Sequence, residues 1–539
     1  MRSGSPRRSV GSSSRDSAGT SRCTRSKTTP TTRPPGCSGD ERGGRDRRNH
    51  EPEARPVSTS IHNHRTKECT MTDTIKNANR LGGKPRIVAL ERRHIRPIPL
   101  SERRGTSRGL FFVWLGINML PLTVVTGALG PTLFGLSLGW TITAVVIGNV
   151  IGGLGAALHA SQGPQLGIPQ MLQARGQFGY FGGSLLALIA LIMFLGFFAS
   201  NLVVAAQSFA AVFQSDAINT GIIICAVIAL AVAIFGYDLV RKMMAVFSIV
   251  IGVLVVVSIF VIVSNPITFA EHNELGFNLA GFFGMLAIGV TWQLAYAPYV
   301  SDYSRYMPHD GGAKQAFWAT YLGLVIGTVL VMVLGALVGL STADGDAMAA
   351  LGRLLGGFGP VVLFAFGIAS AVMNSSNIYS GVMCSLTVFE TLSAKIRIDT
   401  AKRVGMTVAY ALLAMIGALL GKDNFLVIFG DFVIILLYVL IPWSAVNLVD
   451  YFILRKGHYV VDDMFRRDGG RYGRWDSIGL VSYLVGILVQ LPFMVTSMYT
   501  GPFAEPLGFV DMAWVVGFAV PAVIYGFWKR SAITSGAVR

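Results

Sequence analysis

Residues 111–131 read FFVWLGINMLPLTVVTGALGP. The stretch is apolar enough for a helix in a bilayer, yet Asn118, Pro121, Thr123, Thr126 and Gly127 crowd its middle. Proline removes a backbone donor and glycine loosens the chain. In hydrocarbon, freed backbone groups are tolerated only where protein or a water-filled cavity satisfies them. A second stretch of the same kind, GFFGMLAIGVTWQLAYAPYV at 281–300, carries Gly289, Thr291, Trp292, Gln293 and Pro298. If helices one to five and six to ten are two inverted repeats, these stretches hold corresponding positions, which is the best sequence pointer to a transporter's midplane site. For either stretch alone the competing reading is that prolines and small residues merely permit kinks and close packing.

Working outward, the chain is 52% hydrophobic and 14% charged, with a mean hydropathy of +0.54. That is too apolar for a soluble chain of this length. Apolar windows of roughly 17 to 25 residues, enough to cross a hydrocarbon core, recur about twelve times: 108–130, 138–160, 179–212, 217–237, 241–264, 279–300, 315–340, 358–389, 403–421, 425–450, 477–498 and 508–528. An all-α integral membrane protein is expected. With the N-terminus inside, the even-numbered connections hold Arg175; Arg241 and Lys242; Arg305 and Lys314; Lys395, Arg397, Lys402 and Arg403; and Arg455, Lys456, Arg466, Arg467, Arg471 and Arg474. The opposite side holds only Arg353 and Lys422, and the end of the chain adds Lys529, Arg530 and Arg539. Positive residues near membrane helices are retained in the cytoplasm, so both termini are expected there, in a plasma-membrane protein surrounded by lipid. The same distribution accounts for the net charge of +16 without nucleic acid.

Residues 1–70 are rich in Ser, Arg, Pro and Gly and are expected to be disordered. Met71 opens a more ordinary beginning, so a start there competes with a regulatory or targeting tail. Residues 71–107 are read as a cytoplasmic segment, 108–530 as the transmembrane domain and 531–539 as a cytoplasmic tail. The Arg7–Ser9 triplet has no hydrophobic segment close behind it, which argues against a twin-arginine signal. Cys23, Cys37, Cys69, Cys225 and Cys384 suggest neither a disulfide framework nor a metal site. His159 is expected to cap or pack rather than bind metal.

The third and eighth spans supply further polar groups. In FLGFFASNLVVAAQ, Phe197 and Asn201 are four apart and share a helical face. In IASAVMNSSNIYSG, Asn374, Ser375, Ser376, Asn377 and Ser380 crowd into two turns. An amide in hydrocarbon is costly unless paired, so this cluster either lines a cavity or bridges helices. Rings such as Phe197 and Trp292, with amides such as Asn201, Gln293, Asn374 and Asn377, suit a flat neutral heterocycle, which stacks while its donors and acceptors are matched. None of these helices carries a midplane Arg or Lys, which disfavours organic anions. No GxxxxGK[ST] loop occurs, and no nucleophile–base pair or metal cluster stands at membrane depth, so neither a pump nor an enzyme is expected.

Four motifs in order now carry a resemblance: ALERRHIRPIPLSERRG at 89–105, HASQGPQLGIPQMLQARGQFG at 159–179, YAPYVSDYSRYMP at 296–308 and IPWSAVNLVDYFILRKGHY at 441–459. Residues 89–529 resemble the nucleobase:cation symporter-1 family, the purine and cytosine permeases with their hydantoin and allantoin relatives. The resemblance implies twelve helices, the first ten forming a 5+5 inverted repeat of leucine-transporter type, and two more at the C-terminus. It implies secondary active import of a nucleobase, allantoin or hydantoin, with H+ or Na+ co-transported and no other cofactor. A transporter-like receptor that binds without turnover is the alternative. By resemblance, Phe197 takes a position where many members place a stacking tryptophan, Asn201 matches an amide one turn on, and Trp292 or Gln293 closes the other side of the base. Asn374 and Asn377 fall in the stretch that donates side-chain hydrogen bonds, and Asn118 marks the break of the first helix. Sodium-dependent relatives place adjacent hydroxyls where this chain has Ala371, Val372 and Met373, with Ser370 the nearest hydroxyl. Proton coupling is therefore preferred, with Asp431 in the tenth helix as a candidate acid. Asp302 and Arg305 are three apart, within reach on a helical turn, and with Tyr299, Tyr303 and Tyr306 they read either as a gate beside the site or as a membrane-interface anchor.

Overall fold

The computed structural model describes residues 95–235, 237–264, 275–342, 346–393, 400–496 and 498–535. The expected tail 1–70 with Cys23, Cys37 and Cys69, the start at Met71, and Lys395, Arg397 and Arg539 lie outside the described residues, as does the side chain of Arg241. Among the described residues the chain is helical, with two isolated bridges and no strand. The helices used below are α1 (Ser107–Ile117), α2 (Pro121–Thr132), α3 (Leu138–Ala160), α4 (Arg175–Phe213), α5 (Ile218–Phe235), α6 (Tyr237–Val263), α7 (Leu279–Leu294), α8 (Val300–Ser304), α9 (Gly312–Gly339), α10 (Ala347–Leu355), α11 (Gly359–Met373), α12 (Ser375–Leu392), α13 (Thr400–Gly421), α14 (Phe425–Leu448), α15 (Ser477–Leu488) and α16 (Ala513–Thr534).

The first crossing is broken where the sequence places it. Asn118 ends α1, and Met119 N–H tightens the last turn by bonding Gly116 O at 2.8 Å. Leu120 is extended at φ −127° and ψ 148°, the conformation forced on a residue before proline. Pro121, whose missing N–H costs nothing in a first turn, opens α2, and the two halves meet at a 57° bend. In the sixth crossing α7 ends at Leu294, and a 3-10 turn at Ala297–Tyr299 leads into α8. The eighth span stays helical through Asn374 (φ −60°, ψ −17°) between α11 and α12, with a tighter turn there in which Asn377 N–H bonds Asn374 O at 3.0 Å.

Helices occupy the region of every expected span, but the number of crossings is not confirmed as twelve. Eight described helices are long and apolar enough to cross a membrane, and the bent α1–α2 pair makes nine. α15 is shorter than the expected 477–498: it ends at Leu488 and continues only through a turn into a 3-10 turn at Leu491–Phe493. The third helix begins in earnest at Gly179, whose φ of +80° breaks it from Arg175–Phe178. Apolar side chains such as Ile249, Phe260 and Leu420 point outward from α6 and α13, and helices apolar on every face belong against hydrocarbon. The chain is a multi-pass membrane protein.

The connections counted as basic converge at one end of the bundle. Ile98 N–H bonds Gly167 O, Gly105 N–H bonds Tyr306 O, and Tyr180 N–H bonds Gly473 O, at 2.9, 2.8 and 3.0 Å. Arg175 joins Met464 O at 2.9 Å and Thr391 Oγ1 at 2.7 Å. At the opposite end Ser137 N–H bonds Gly276 O, and Asn278 Nδ2 donates to Phe134 O at 2.8 Å, tying the exit of α2 to the entry of α7. Between the ends α3 crosses α7 closely, since a Cβ on Gly152 would stand 2.6 Å from Val290 O. Small residues at such crossings let membrane helices touch backbone to backbone.

Candidate functional site

The break in the first crossing is held open by one side chain. Asn118 is fully buried and donates through Nδ2 to Trp114 O at 2.9 Å, inside its own helix. Its Oδ1 accepts two bonds from α7 and the turn beyond, Trp292 Nε1 at 2.9 Å and Tyr296 Oη at 2.6 Å. The two interrupted crossings are thereby clamped to each other.

Against this clamp lies a narrow slot with a cavity volume of ≈ 30 Å³, walled by Leu120, by Leu122 of α2, by Trp292, Tyr296 and Tyr299, and, across from them, by Phe197, Asn201, Ser376 and Asn377. The rings of Phe197 and Trp292 meet edge to face at 6.0 Å and 85°, and Phe432 of α14 backs Phe197 at 5.3 Å. Asn201 donates Nδ2 to Phe197 O at 2.8 Å, while its buried Oδ1 has no partner. Asn374 donates Nδ2 to Phe198 O at 3.0 Å and accepts Asn377 Nδ2 at 2.9 Å. Polar groups converging on an apolar slot give it the chemistry of a small-molecule site, but its ≈ 30 Å³ holds no more than a water, so a ring enters only when the walls part.

Phe197, Asn201, Trp292 and Asn377 are brought together at the slot. Asn118 and Asn374 stand behind it, holding its walls. Gln293 is turned away: its Nε2 donates to Asn149 Oδ1 at 2.7 Å and Thr328 Oγ1 at 3.0 Å, bridging α7 to α3 and α9. Consecutive helical residues point about 100° apart, so Trp292 rather than Gln293 faces the slot. Asp431 is half-buried in the second turn of α14 and does not line the slot, though its neighbour Phe432 packs on the slot wall. Ser370 bonds Asn201 O at 3.3 Å. His159 packs as expected, with Nδ1 on Gly155 O at 2.8 Å and its ring stacked on Trp443 at 4.8 Å.

Of the two readings of the tyrosines after Trp292, gate or interface anchor, the anchor does not fit Tyr299 and Tyr303. Tyr299 and Tyr303 are buried at 4% and 1% exposure, and Trp114 meets their rings at 5.7 and 5.4 Å. Tyr296 and Tyr299 line the slot itself. Trp292, Tyr296, Tyr299 and Tyr303 are spaced four, three and four apart, the signature of one helical face, and that spacing was available to find them. Just below, Asp302 accepts Gln170 N–H at 3.0 Å, and Arg305 donates to Asp302 O at 3.3 Å and Tyr379 Oη at 3.4 Å.

A run of buried polar side chains continues from there. Gln170 Nε2 donates to Gln162 Oε1 at 3.4 Å, Gln162 Nε2 to Asn447 Oδ1 at 2.7 Å, Asn447 Nδ2 to Gln177 Oε1 at 3.4 Å, and Gln177 Nε2 to Asp450 at 3.3 Å. Asp450 also accepts Tyr459 Oη, Tyr525 Oη at 2.8 Å and Arg455 Nε at 3.1 Å. Burial and the neighbouring Asp450 carboxylate hold the Tyr459 phenol well above its ordinary pKa, so it stays a donor throughout the physiological range. Three of the four motifs of the sequence meet in this network.

The profile of the family described as permease for cytosine/purines, uracil, thiamine, allantoin matches residues 97–517. The protein YxlA of Bacillus subtilis is 37% identical over 438 residues, covering 81% of this chain and 95% of the relative. The purine-cytosine permease fcyB of Emericella nidulans is 26% identical over 463 residues, covering 81% and 87%. Among solved structures, Mhp1, a nucleobase-cation-symport-1 family transporter with bromovinylhydantoin bound, superposes with a TM-score of 0.66 at 17% identity over 83% of this chain and 97% of that one. The fold is shared with that transporter.

Proposed function

This chain belongs to the family of permeases for cytosine/purines, uracil, thiamine and allantoin, and from that premise we propose that it imports a nucleobase or related flat heterocycle by secondary active transport. The observation that carries the reading is the slot beside the two clamped, interrupted crossings, with Trp292 on one wall, Phe197 across from it and the amides Asn201 and Asn377 at its edge. Similarity to the purine-cytosine permease fcyB, and a fold shared with a transporter that binds a hydantoin, support the ligand class. The basic end is assigned to the cytoplasm, since Lys and Arg are retained there, so the buried Gln–Asn–Asp network closes the inner side.

A proton is the proposed coupling ion. Hard cations want several oxygen ligands, and Ala371, Val372 and Met373 offer no side-chain oxygen beside Ser370, which is engaged on Asn201 O. Asp431 is the proposed titrating acid. Uptake of radiolabelled cytosine, adenine, hypoxanthine, uracil, allantoin and hydantoin into vesicles tests both parts. Accumulation that collapses with an uncoupler at constant sodium is expected. Strict sodium dependence with indifference to protons would overturn the coupling, and binding without accumulation under any gradient would favour a receptor.

A further inference from the structure

Resting on the transport reading above, we infer that the slot recognises its ligand as a hydrogen-bond donor: it takes flat heterocycles that present N–H groups from a ring lactam or an exocyclic amine, and discriminates against rings in which those donors are removed. The argument lies in which end of each amide faces the slot. Phe197 O and Phe198 O are consecutive carbonyls of α4, and a carbonyl only accepts. Asn201 must therefore turn Nδ2 to Phe197 O, as it does at 2.8 Å, which leaves Oδ1 as an unpartnered acceptor at a residue only 3% exposed. Asn374 must turn Nδ2 to Phe198 O, and its Oδ1 then faces Asn377 and demands that amide's Nδ2. The remaining end of Asn377, on the slot wall, is again Oδ1.

Reversing any of these amides would set oxygen against oxygen in a buried place, which is costly. On the aromatic wall Trp292 Nε1 and Tyr296 Oη are engaged on Asn118 Oδ1, and Tyr299 Oη is a hydroxyl that serves in either sense. Ser376 carries a rotating hydroxyl that serves in either sense. The slot thus offers two amide oxygens of fixed sense, two hydroxyls that adapt to either, and no formal charge. An acceptor left facing a group that cannot donate forfeits its hydrogen bond, and a site built around such bonds rejects the analogue that lacks them.

Competition binding to the purified full-length protein, with radiolabelled uptake into liposomes in parallel, tests this with matched probes. Hypoxanthine is paired with 1-methylhypoxanthine and cytosine with its N4,N4-dimethyl form. Hydantoin is paired with oxazolidine-2,4-dione, in which a ring oxygen replaces one N–H without added bulk. For each parent that binds, the partner lacking the donor is expected to compete at least about tenfold more weakly. Asn374→Ala, which frees the Asn377 amide to turn, is expected to bring that ratio toward one in at least one pair. Equal competition by both members of every pair in the unaltered protein overturns the donor requirement while leaving transport intact. An Asn374→Ala variant that weakens both members of every pair equally overturns the orienting role. If no parent binds or accumulates at all, the transport reading fails first.

Discussion

The slot and the basic end are built from the same amides used in opposite ways. At the basic end Gln162, Gln177 and Asn447 are bonded at both ends of their side chains, and Asp450 takes four side-chain donors. In the slot Asn201 is bonded only through nitrogen, and its oxygen is buried without a partner. Buried polar groups left unsatisfied cost stability, and Asn201 is not alone in this, since Gln170 Oε1 in the basic-end network is also buried without a partner. What sets Asn201 apart is that it lines the slot, where, on the proposed function, a ligand supplies the missing bond.

Stability measurements on purified protein can break or sharpen that contrast. Asp450→Ala strands Arg455 and three other donors, and the loss of one partner from a buried charged cluster costs about 3–5 kcal/mol; the largest fall in melting temperature is expected here. Gln162→Ala leaves Asn447 Oδ1 and Gln170 Nε2 unmatched and is expected to cost about 1–3 kcal/mol, visible in the same melts. Asn201→Ala removes one bond within its own helix together with an unpaired oxygen. A change below about 1 kcal/mol is expected, with substrate affinity down at least about tenfold. If this variant melts as low as Gln162→Ala, the slot amide belongs to the scaffold and the contrast collapses. Phe197→Trp keeps a ring in place and is expected to change stability least, shifting apparent affinity by about tenfold or less.

Much of this was legible beforehand, for reasons that differ by residue. The interruption at Asn118–Pro121 could be read because proline and its predecessor impose local conformations whatever surrounds them. The cluster from Asn374 to Asn377 could be read because amides are conspicuous among apolar neighbours. The choice between Trp292 and Gln293 could not, since it depends on how α7 is rotated against α3, and that rotation is set by close approaches such as Gly152 on Val290. Nor could the orientation of Asn201 and Asn374, which is dictated by backbone carbonyls of α4 that no side-chain pattern announces. The tyrosines after Trp292 failed for a different reason: amphipathic rings suit both a membrane surface and a buried floor, and only their four-three-four spacing separates the two.

The bonds from Asn118 to both Trp292 and Tyr296 also constrain how such a machine can move. Two half-crossings pinned through one amide travel as a single plate, so the wall bearing Trp292 has no freedom to swing away from the first crossing. Relative motion is left to the facing plate of Phe197, Asn201 and Asn377, and the cleavage plane between the two passes through the slot. On the proposed function a bound ring would be the mortar of that joint, set between the two plates only once they part.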